Sequence, residues 1–430
     1  MATSMLSNAS CTTSENSSVK SRADHSVAEL LAHLSVSTPP AVTTSMAASV
    51  ISAAPTPVYA IPASGAHNHS ELSAFIAQEH DAAWASFSAD ELITAVKAQL
   101  SATAPDQQCH GLNAWQTMLC LEKLSLEQLT ALSQWCTQHC APQEASLCSI
   151  VNVKSGECTE NCHWCAQSRH YHTGASVYGV KSGVECIPAA RQCYEHGVSM
   201  FSFVASGRKQ NKHELQELLT TIDEVRKQVP IKLCASLGLC RADELKTVYA
   251  HGIGRYHCNL ETAGSFFAAV CTSHNQSDKL KTLEAARDCG MELCSGCILG
   301  MGESELQRIE LSQQLRALQI HSIPLNFLHP IAGTPLKQQH KLSFEEIVRA
   351  VCIFRLANPQ AHLRFAGGRA LLTAEELHAA LSAGVNATIV GNLLTTVAST
   401  SIADDREMFL QHDYILPPLP ASTADANNHA

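Results

Sequence analysis

Between residues 148 and 391 the sequence alternates, eight times over, a short β-branched or apolar run with a longer amphipathic stretch. The runs fall at 148–153, 200–205, 231–237, 254–259, 291–299, 322–328, 362–367 and 387–391. Helical spacing separates them, as at 213–228, 243–251, 279–289 and 343–356. Strands that alternate with helices pair in parallel, because each helical crossover carries the chain back to the end at which the last strand began. Eight such units predict an α/β protein folded as a (β/α)8 TIM-type barrel. A doubly wound open sheet is the alternative, since alternation alone does not show closure. Ser343 with Glu346, and Thr373 with Glu376, have capping-box spacing at predicted helix starts.

The flanking segments read differently. Residues 1–69 are rich in Ser, Ala, Thr and Val and lack periodicity. Such a stretch cannot bury enough apolar surface to offset its ordering entropy, so a disordered tail is expected. Glu15, Asp24 and Glu29 oppose a transit peptide, which avoids acids. Residues 70–145 read as a helical N-terminal extension, with Ser125 and Gln128 at capping-box spacing before Leu129, Leu132 and Trp135. The barrel is expected over 146–412 and a C-terminal tail over 413–430.

A hydrophobic fraction of 45% against 16% charged residues supports a large buried core. The net charge of −10 offers no basic footprint, so no nucleic-acid partner is expected. No run has the uninterrupted apolar length of a bilayer span, and the start lacks a basic segment followed by a compact apolar one. A soluble, cytoplasmic protein is expected, with no membrane partner. In that reducing compartment the 19 cysteines are thiols rather than disulfides. Most of them are accounted for by burial as small hydrophobes.

Three cysteines are spaced for chemistry. Cys158, Cys162 and Cys165 lie in Ser155-Gly-Glu-Cys-Thr-Glu-Asn-Cys-His-Trp-Cys-Ala-Gln-Ser168. This segment follows the first predicted strand, where a barrel carries its active-site loops. Thiolates in C-x3-C-x2-C spacing can converge on a cuboidal iron–sulfur cluster, holding three irons and leaving the fourth open. A cluster with four protein thiolates is coordinatively closed and suits electron transfer, whereas an open iron can bind a substrate. Zinc sites usually show paired C-x2-C units instead.

The C-x3-C-x-aromatic-C pattern resembles the signature of the radical S-adenosylmethionine superfamily. The surrounding sequence is similar to the biotin synthase family in particular. The likeness covers residues 146 to about 412 and is carried by Ala166-Gln-Ser168, Tyr171-His-Thr-Gly174, Phe203-Val-Ala-Ser-Gly-Arg208 and Leu233-Cys-Ala-Ser-Leu-Gly238. It continues through Asn259-Leu-Glu-Thr262, Cys294-Ser-Gly296, Gly300-Met-Gly-Glu303 and Pro324-Leu-Asn326. Further on come Gly333-Thr-Pro-Leu336, Arg364-Phe-Ala-Gly-Gly-Arg369 and Asn392-Leu-Leu-Thr-Thr396.

The resemblance implies a sulfurtransferase that converts dethiobiotin to biotin, the last step of biotin biosynthesis. Cys158, Cys162 and Cys165 match the ligands of a [4Fe–4S] cluster that cleaves S-adenosylmethionine to a 5′-deoxyadenosyl radical. Trp164 matches an aromatic position whose backbone lies near adenine. Asn259 and Glu261 match a ribose-contacting pair in which the family often has Asp second. Lys279 aligns with a family Arg, keeping the charge but losing bidentate geometry. Asn326 matches an Asn that holds the ureido ring of dethiobiotin. Cys234, Cys294 and Arg364 match ligands of a sulfur-donating auxiliary cluster, [2Fe–2S] or a variant of it. Its usual fourth ligand, a Cys, aligns with Ser202. Cys148 could supply the missing thiolate, as could Cys297 if the chain bends, and packing as small apolar side chains is an equal alternative for both.

The family further implies a flavodoxin-like or ferredoxin-like electron donor and a homodimer. The rivals are a hydrogenase-maturation or methylornithine-synthase type of the same superfamily, and a non-catalytic iron–sulfur scaffold. Other features are discounted. Cys136 and Cys140 flank His139 on a predicted helix but have no partner pair. Gly300-Met-Gly-Glu303 lacks the Lys and the spacing of a phosphate loop. His25, His33, His67 and His69 belong to the predicted tail.

Overall fold

The computed structural model describes residues 76–102, 110–391 and 401–420. The expected tail over 1–69 and the Asn392–Thr396 motif lie outside the described residues. Helices α1 (Ala82–Ala85), α2 (Ala89–Ser101), α3 (Ala114–Lys123) and α4 (Leu126–Cys140) precede the sheet. Ser125 caps α4 through the Gln128 amide, as its spacing predicts.

The parallel strands are β1 (Ser146–Lys154), β2 (Met200–Ala205), β3 (Lys232–Ser236), β4 (Ile253–His257), β5 (Glu292–Cys294), β6 (Cys297–Leu299), β7 (Ser322–Phe327), β8 (His362–Phe365) and β9 (Ala387–Ile389). Their order is β5-β4-β3-β2-β1-β9-β8-β7-β6, and β5 also pairs with β7. That last pairing, Cys294 with Ser322, closes the sheet into a barrel and excludes the open sheet. The outer helices that follow are α5 (Gly183–Glu195), α6 (Lys212–Gln228), α7 (Ala242–Ala250), α8 (Gly264–Val270), α9 (Gln276–Asp288), α10 (Glu305–Ala317), α11 (Phe344–Ala357), α12 (Ala374–Ala383) and α13 (Ile402–Leu410). Capping boxes at Ser343 and Thr373 start α11 and α12 as expected.

One strand departs from the sequence pattern. The apolar run over 291–299 reads as a single strand, yet the chain breaks it into β5 and β6. The cause is the segment after β4. The Glu261 amide donates to the Gly296 carbonyl at 3.0 Å and the Ile298 amide to the Glu261 carbonyl at 2.7 Å. Asn259 Oδ1 accepts from the Gly296 amide at 2.9 Å, so residues 259–261 take over the ladder that β4 leaves. Only Gly fits at 296, because a Cβ there would lie 2.0 Å from the Pro324 carbonyl oxygen on β7.

The N-terminal helices back the barrel's C-terminal half. Ser133 Oγ donates to the Ala383 carbonyl, Cys352 Sγ to that of Leu129, and Gln313 Nε2 to that of Leu112. The Cys136 and Cys140 thiols point to the Arg355 and Leu100 carbonyls, while His139 stacks on Trp135. Beyond α13, the Ala145 amide donates to the Ile415 carbonyl at 2.7 Å, which ties residues 413–420 to the start of β1. Among the described residues every cysteine is a free thiol, and no helix is long and apolar enough to cross a membrane.

The Gly300–Glu303 turn shows why it is no phosphate loop. Glu303 fills it with its own carboxylate, accepting from the Gly300 and Met301 amides at 2.9 and 2.8 Å and from Arg308 Nε at 2.9 Å. Both side chains of this ion pair are almost fully buried. Glu303→Ala would strand the Arg308 charge and two backbone amides. A loss of about 3–5 kcal/mol in folding stability is expected, measured by denaturant unfolding.

Candidate active site

The loop after β1 turns through left-handed backbone at Gly156 (φ 79°) and Glu157 (φ 52°). Gln167 closes it, its Oε1 accepting from Ser155 Oγ at 3.0 Å and from the Gly156 amide at 2.5 Å. The Cys158 amide donates to the Gln167 carbonyl, and the Arg169 amide back to the Cys158 carbonyl. Cys165 is held over Cys162 by a 3.0 Å amide-to-carbonyl bond. The loop thus folds its three cysteines back on themselves.

All three thiols titrate above their ordinary value. Burial raises Cys158. Cys162 is raised by its hydrogen bond to Cys271 and then by burial. Burial pushes Cys165 up to about 11, and the nearby Cys158 and Glu261 charges add to it. Buried thiols that disfavour one another's ionisation become thiolates when a cation joins them, and iron is such a cation. The donor set therefore fits a cluster bound through three thiolates.

Next to the loop, Lys279 Nζ lies 3.6 Å from Glu261 Oε1, and both side chains are largely buried. Burial alone would lower Lys279; the Glu261 charge and the neighbouring thiols outweigh it and hold the ammonium above its usual value. Asn259 Nδ2 donates to the other Glu261 oxygen at 3.3 Å. Glu261 itself has left-handed backbone (φ 71°), set by its exchange with residues 296–298. Asn259, Glu261 and Lys279 thus form one polar group beside the cysteine loop.

A cavity of about 320 Å³ opens inside the barrel. Trp164, Cys165, Asn259 and Asn326 line it near the C-terminal strand ends, and Cys148, Ser202, Cys234, Cys294 and Arg364 line it farther down. Cys158, Cys162, Glu261 and Lys279 stand behind that lining rather than in it. Cys297 does not line the cavity either. Its thiol is wholly buried on the Glu303 side, and burial raises it well above the usual range. The chain does bend before Cys297, but the bend turns Cys297 away and leaves Cys148 as the additional thiol facing the cavity. Asn326 spans the wall, donating to the Cys297 carbonyl at 2.7 Å and accepting from the Gly367 amide at 2.8 Å.

Three buried soft donors, Cys148, Cys234 and Cys294, therefore share one cavity. Burial raises Cys148 and Cys234, and the Cys294 charge adds to both. Such a set suits iron–sulfur ligation. Arg364 faces these thiols. Four of its guanidinium contacts are taken by the wall: the Ser146 and Thr388 carbonyls from Nη1, Ser146 Oγ from Nη2 and Ser322 Oγ from Nε.

Sequence spacing missed several residues that the fold brings in. Cys271 lies with its sulfur 3.7 Å from that of Cys162 and 3.3 Å from His274 Nδ1, and Glu160 accepts from the same histidine at 2.6 Å. Cys271 and His274 come from a segment more than 100 positions away, so local spacing could not link them to Cys162, whereas Glu160 belongs to the cysteine loop itself. Arg255 and His257 line the cavity together with Asn259. Here a signal was available, because residues 255, 257 and 259 alternate along the run read as a strand over 254–259 and so were expected to share a face.

The chain matches the Radical SAM superfamily over residues 152–315 and the Biotin and Thiamin Synthesis associated domain over residues 324–415. Biotin synthase of Porphyromonas gingivalis is 43% identical over 289 residues, spanning 67% of this chain and 88% of that protein. This chain belongs to the biotin synthase family. Biotin synthases of Desulfotalea psychrophila (43% identical, 67% of this chain, 85% of theirs) and Acetivibrio thermocellus (40%, 66% and 89%) agree. Among solved structures, the FeFe-hydrogenase maturase HydG from Carboxydothermus hydrogenoformans superposes with a TM-score of 0.62 at 14% identity, covering 78% of this chain and 86% of that one. Methylornithine synthase gives 0.58, also at 14% identity, over 79% of this chain and 99% of that one. At such identity they share the barrel with this biotin synthase family member and nothing more specific.

Proposed function

We propose that this chain is the radical enzyme that inserts sulfur into dethiobiotin to give biotin. The observation that carries this reading is the convergence, on one barrel cavity, of the three-cysteine loop and a second set of buried thiols. Family membership supports it. Cys158, Cys162 and Cys165 would hold the [4Fe–4S] cluster. Trp164, Asn259, Glu261 and Lys279 would hold S-adenosylmethionine, and Asn326 dethiobiotin. Cys148, Cys234, Cys294 and Arg364 form the wall of the auxiliary cluster. When bound, these groups supply a hydrogen-abstracting radical and the sulfur that fills the vacated valences.

The chain's own contribution is binding, orientation and exclusion of water. Glu261 accepts hydrogen bonds from ribose hydroxyls, as its carboxylate is already held by Asn259 and Lys279. Lys279 pairs with that carboxylate at 3.6 Å and adds positive charge near Cys162. The apolar part of the wall, with Ile150, Val204, Leu328 and Ile331, offers a reactive carbon radical few alternative partners. Lys279→Met should weaken S-adenosylmethionine binding by about 10- to 100-fold, or roughly 1.4–2.7 kcal/mol, in anaerobic titration calorimetry. Unchanged affinity would remove Lys279 from the cofactor site.

The same reading includes a flavodoxin-like or ferredoxin-like donor, a homodimer, cytoplasmic placement and a barrel domain over 146–412 preceded by a helical extension. The decisive experiment is anaerobic reconstitution with iron and sulfide, then incubation with S-adenosylmethionine, reductant and dethiobiotin. Both 5′-deoxyadenosine and biotin are expected. Deoxyadenosine without biotin would keep the radical chemistry and point to a different substrate or an incomplete auxiliary cluster.

A further inference from the structure

The cavity is lined by two imidazoles that the assignments above leave unused, His257 and His329, and His257 is the one that meets a thiol. His257 ends β4, and its strand partner in register is Cys294. Its Nδ1 lies 3.2 Å from Cys294 Sγ, and its ring lines the same cavity as Cys148, Cys234 and Arg364. Two donors on one tetrahedral metal, one nitrogen and one sulfur, stand roughly 3.5 Å apart at ordinary bond lengths. The His257–Cys294 spacing is close to that without any movement of the backbone.

The other side chains near these thiols are poorer donors. Ser202, in register with Cys234, offers only a hydroxyl that must lose a proton to bind iron well. Arg364 offers nitrogens that keep their protons at any ordinary pH, and its contacts with Ser146, Thr388 and Ser322 already hold it to the wall. Arg255 is turned to Glu292, with contacts of 2.9 and 2.6 Å. A neutral imidazole needs no such cost and suits iron.

We propose that His257 is an iron ligand, binding through a ring nitrogen the same iron as the Cys294 thiolate, in a centre held by Cys148, Cys234 and Cys294. Arg364 and Arg255 then act as fixed counter-charges to the thiolates rather than as ligands. This inference rests on the reading of the cavity as an auxiliary cluster site. Replacing a thiolate by an imidazole removes one negative charge from a cluster and raises its reduction potential, as in Rieske centres.

The test uses the full chain with Cys158, Cys162 and Cys165 replaced by Ala, so that the cysteine loop no longer contributes its cluster to the iron bound after anaerobic reconstitution. Iron retention is expected, with a strongly coupled nitrogen in pulsed electron spin resonance of the reduced protein. That coupling should shift when histidine is labelled with nitrogen-15, and should vanish in His257→Gln while iron is retained. His257→Cys should keep the iron and lower the potential. Retained iron with no histidine-derived coupling, or a coupling that survives His257→Gln, overturns the ligand role and leaves the auxiliary centre standing. No retained iron in the triple variant, with circular dichroism unchanged, overturns the auxiliary centre itself and the proposal with it.

Discussion

Alanine at Cys158, Cys162 or Cys165 is expected to abolish S-adenosylmethionine cleavage. Each substitution removes one of three thiolates that have no substitute on the same loop, and a cuboidal cluster cannot be held open by two. The drop in 5′-deoxyadenosine formation should reach about 1,000-fold or more, equivalent to roughly 4 kcal/mol or more of lost barrier reduction. Iron content should fall with it. The loop's fold should not, because the bonds from Gln167 to Ser155 and Gly156 do not involve the thiols. Cys162 allows a sharper version. Cys271 lies 3.7 Å from it and is held below the ordinary thiol range, to about 3, first by the Cys162 hydrogen bond and then by His274 and Ser273. If Cys271 could replace Cys162, Cys162→Ala would keep measurable cleavage and Cys162→Ala with Cys271→Ala would not. Full activity in any single alanine variant would end the assignment of this loop.

The second large effect concerns folding. Arg355 on α11 is wholly buried, and among the described residues no carboxylate pairs with it. Its guanidinium donates instead to the carbonyls of Gly384, Pro359 and Ala361 at 2.7, 3.0 and 2.8 Å, and to Asn386 Oδ1 at 3.0 Å. Asn386 in turn accepts from the Leu363 amide and donates to the Pro142 carbonyl. One side chain thus pins the approach to β8, the approach to β9 and the chain just before β1, which is the seam where the last strand meets the first. Arg355→Met keeps the aliphatic stem but leaves several buried acceptors unpaired. A loss of about 3–5 kcal/mol is expected, read as a lowered denaturant midpoint with little change in slope. An unchanged midpoint would mean that water replaces the guanidinium.

Much of the protein was legible because its information is local. The β/α alternation follows from periodicity, and β2 runs over the very residues that its apolar run marks. The caps at Ser125, Ser343 and Thr373 need only residues three positions apart. The cysteine loop is equally local, since its ligands come from eight consecutive residues after one strand. The break between β5 and β6 was not legible. Nothing in residues 291–299 foretells that Asn259 and Glu261, from the preceding strand's end, compete for the ladder there.

The sequence by itself determined the alternating α/β class, the cysteine loop and the family, because periodicity, spacing and ordered motifs are properties of the chain read in order, whereas closure of the sheet into a barrel waited on the pairing of Cys294 with Ser322. Tertiary structure alone decided that Cys148 faces the cavity and Cys297 does not, that Cys271 and His274 stand beside Cys162, and that His257 meets Cys294. The physical reason is the same in each case. Which way a strand residue points depends on register and closure, and those are set by hydrogen bonds between segments that lie far apart along the chain.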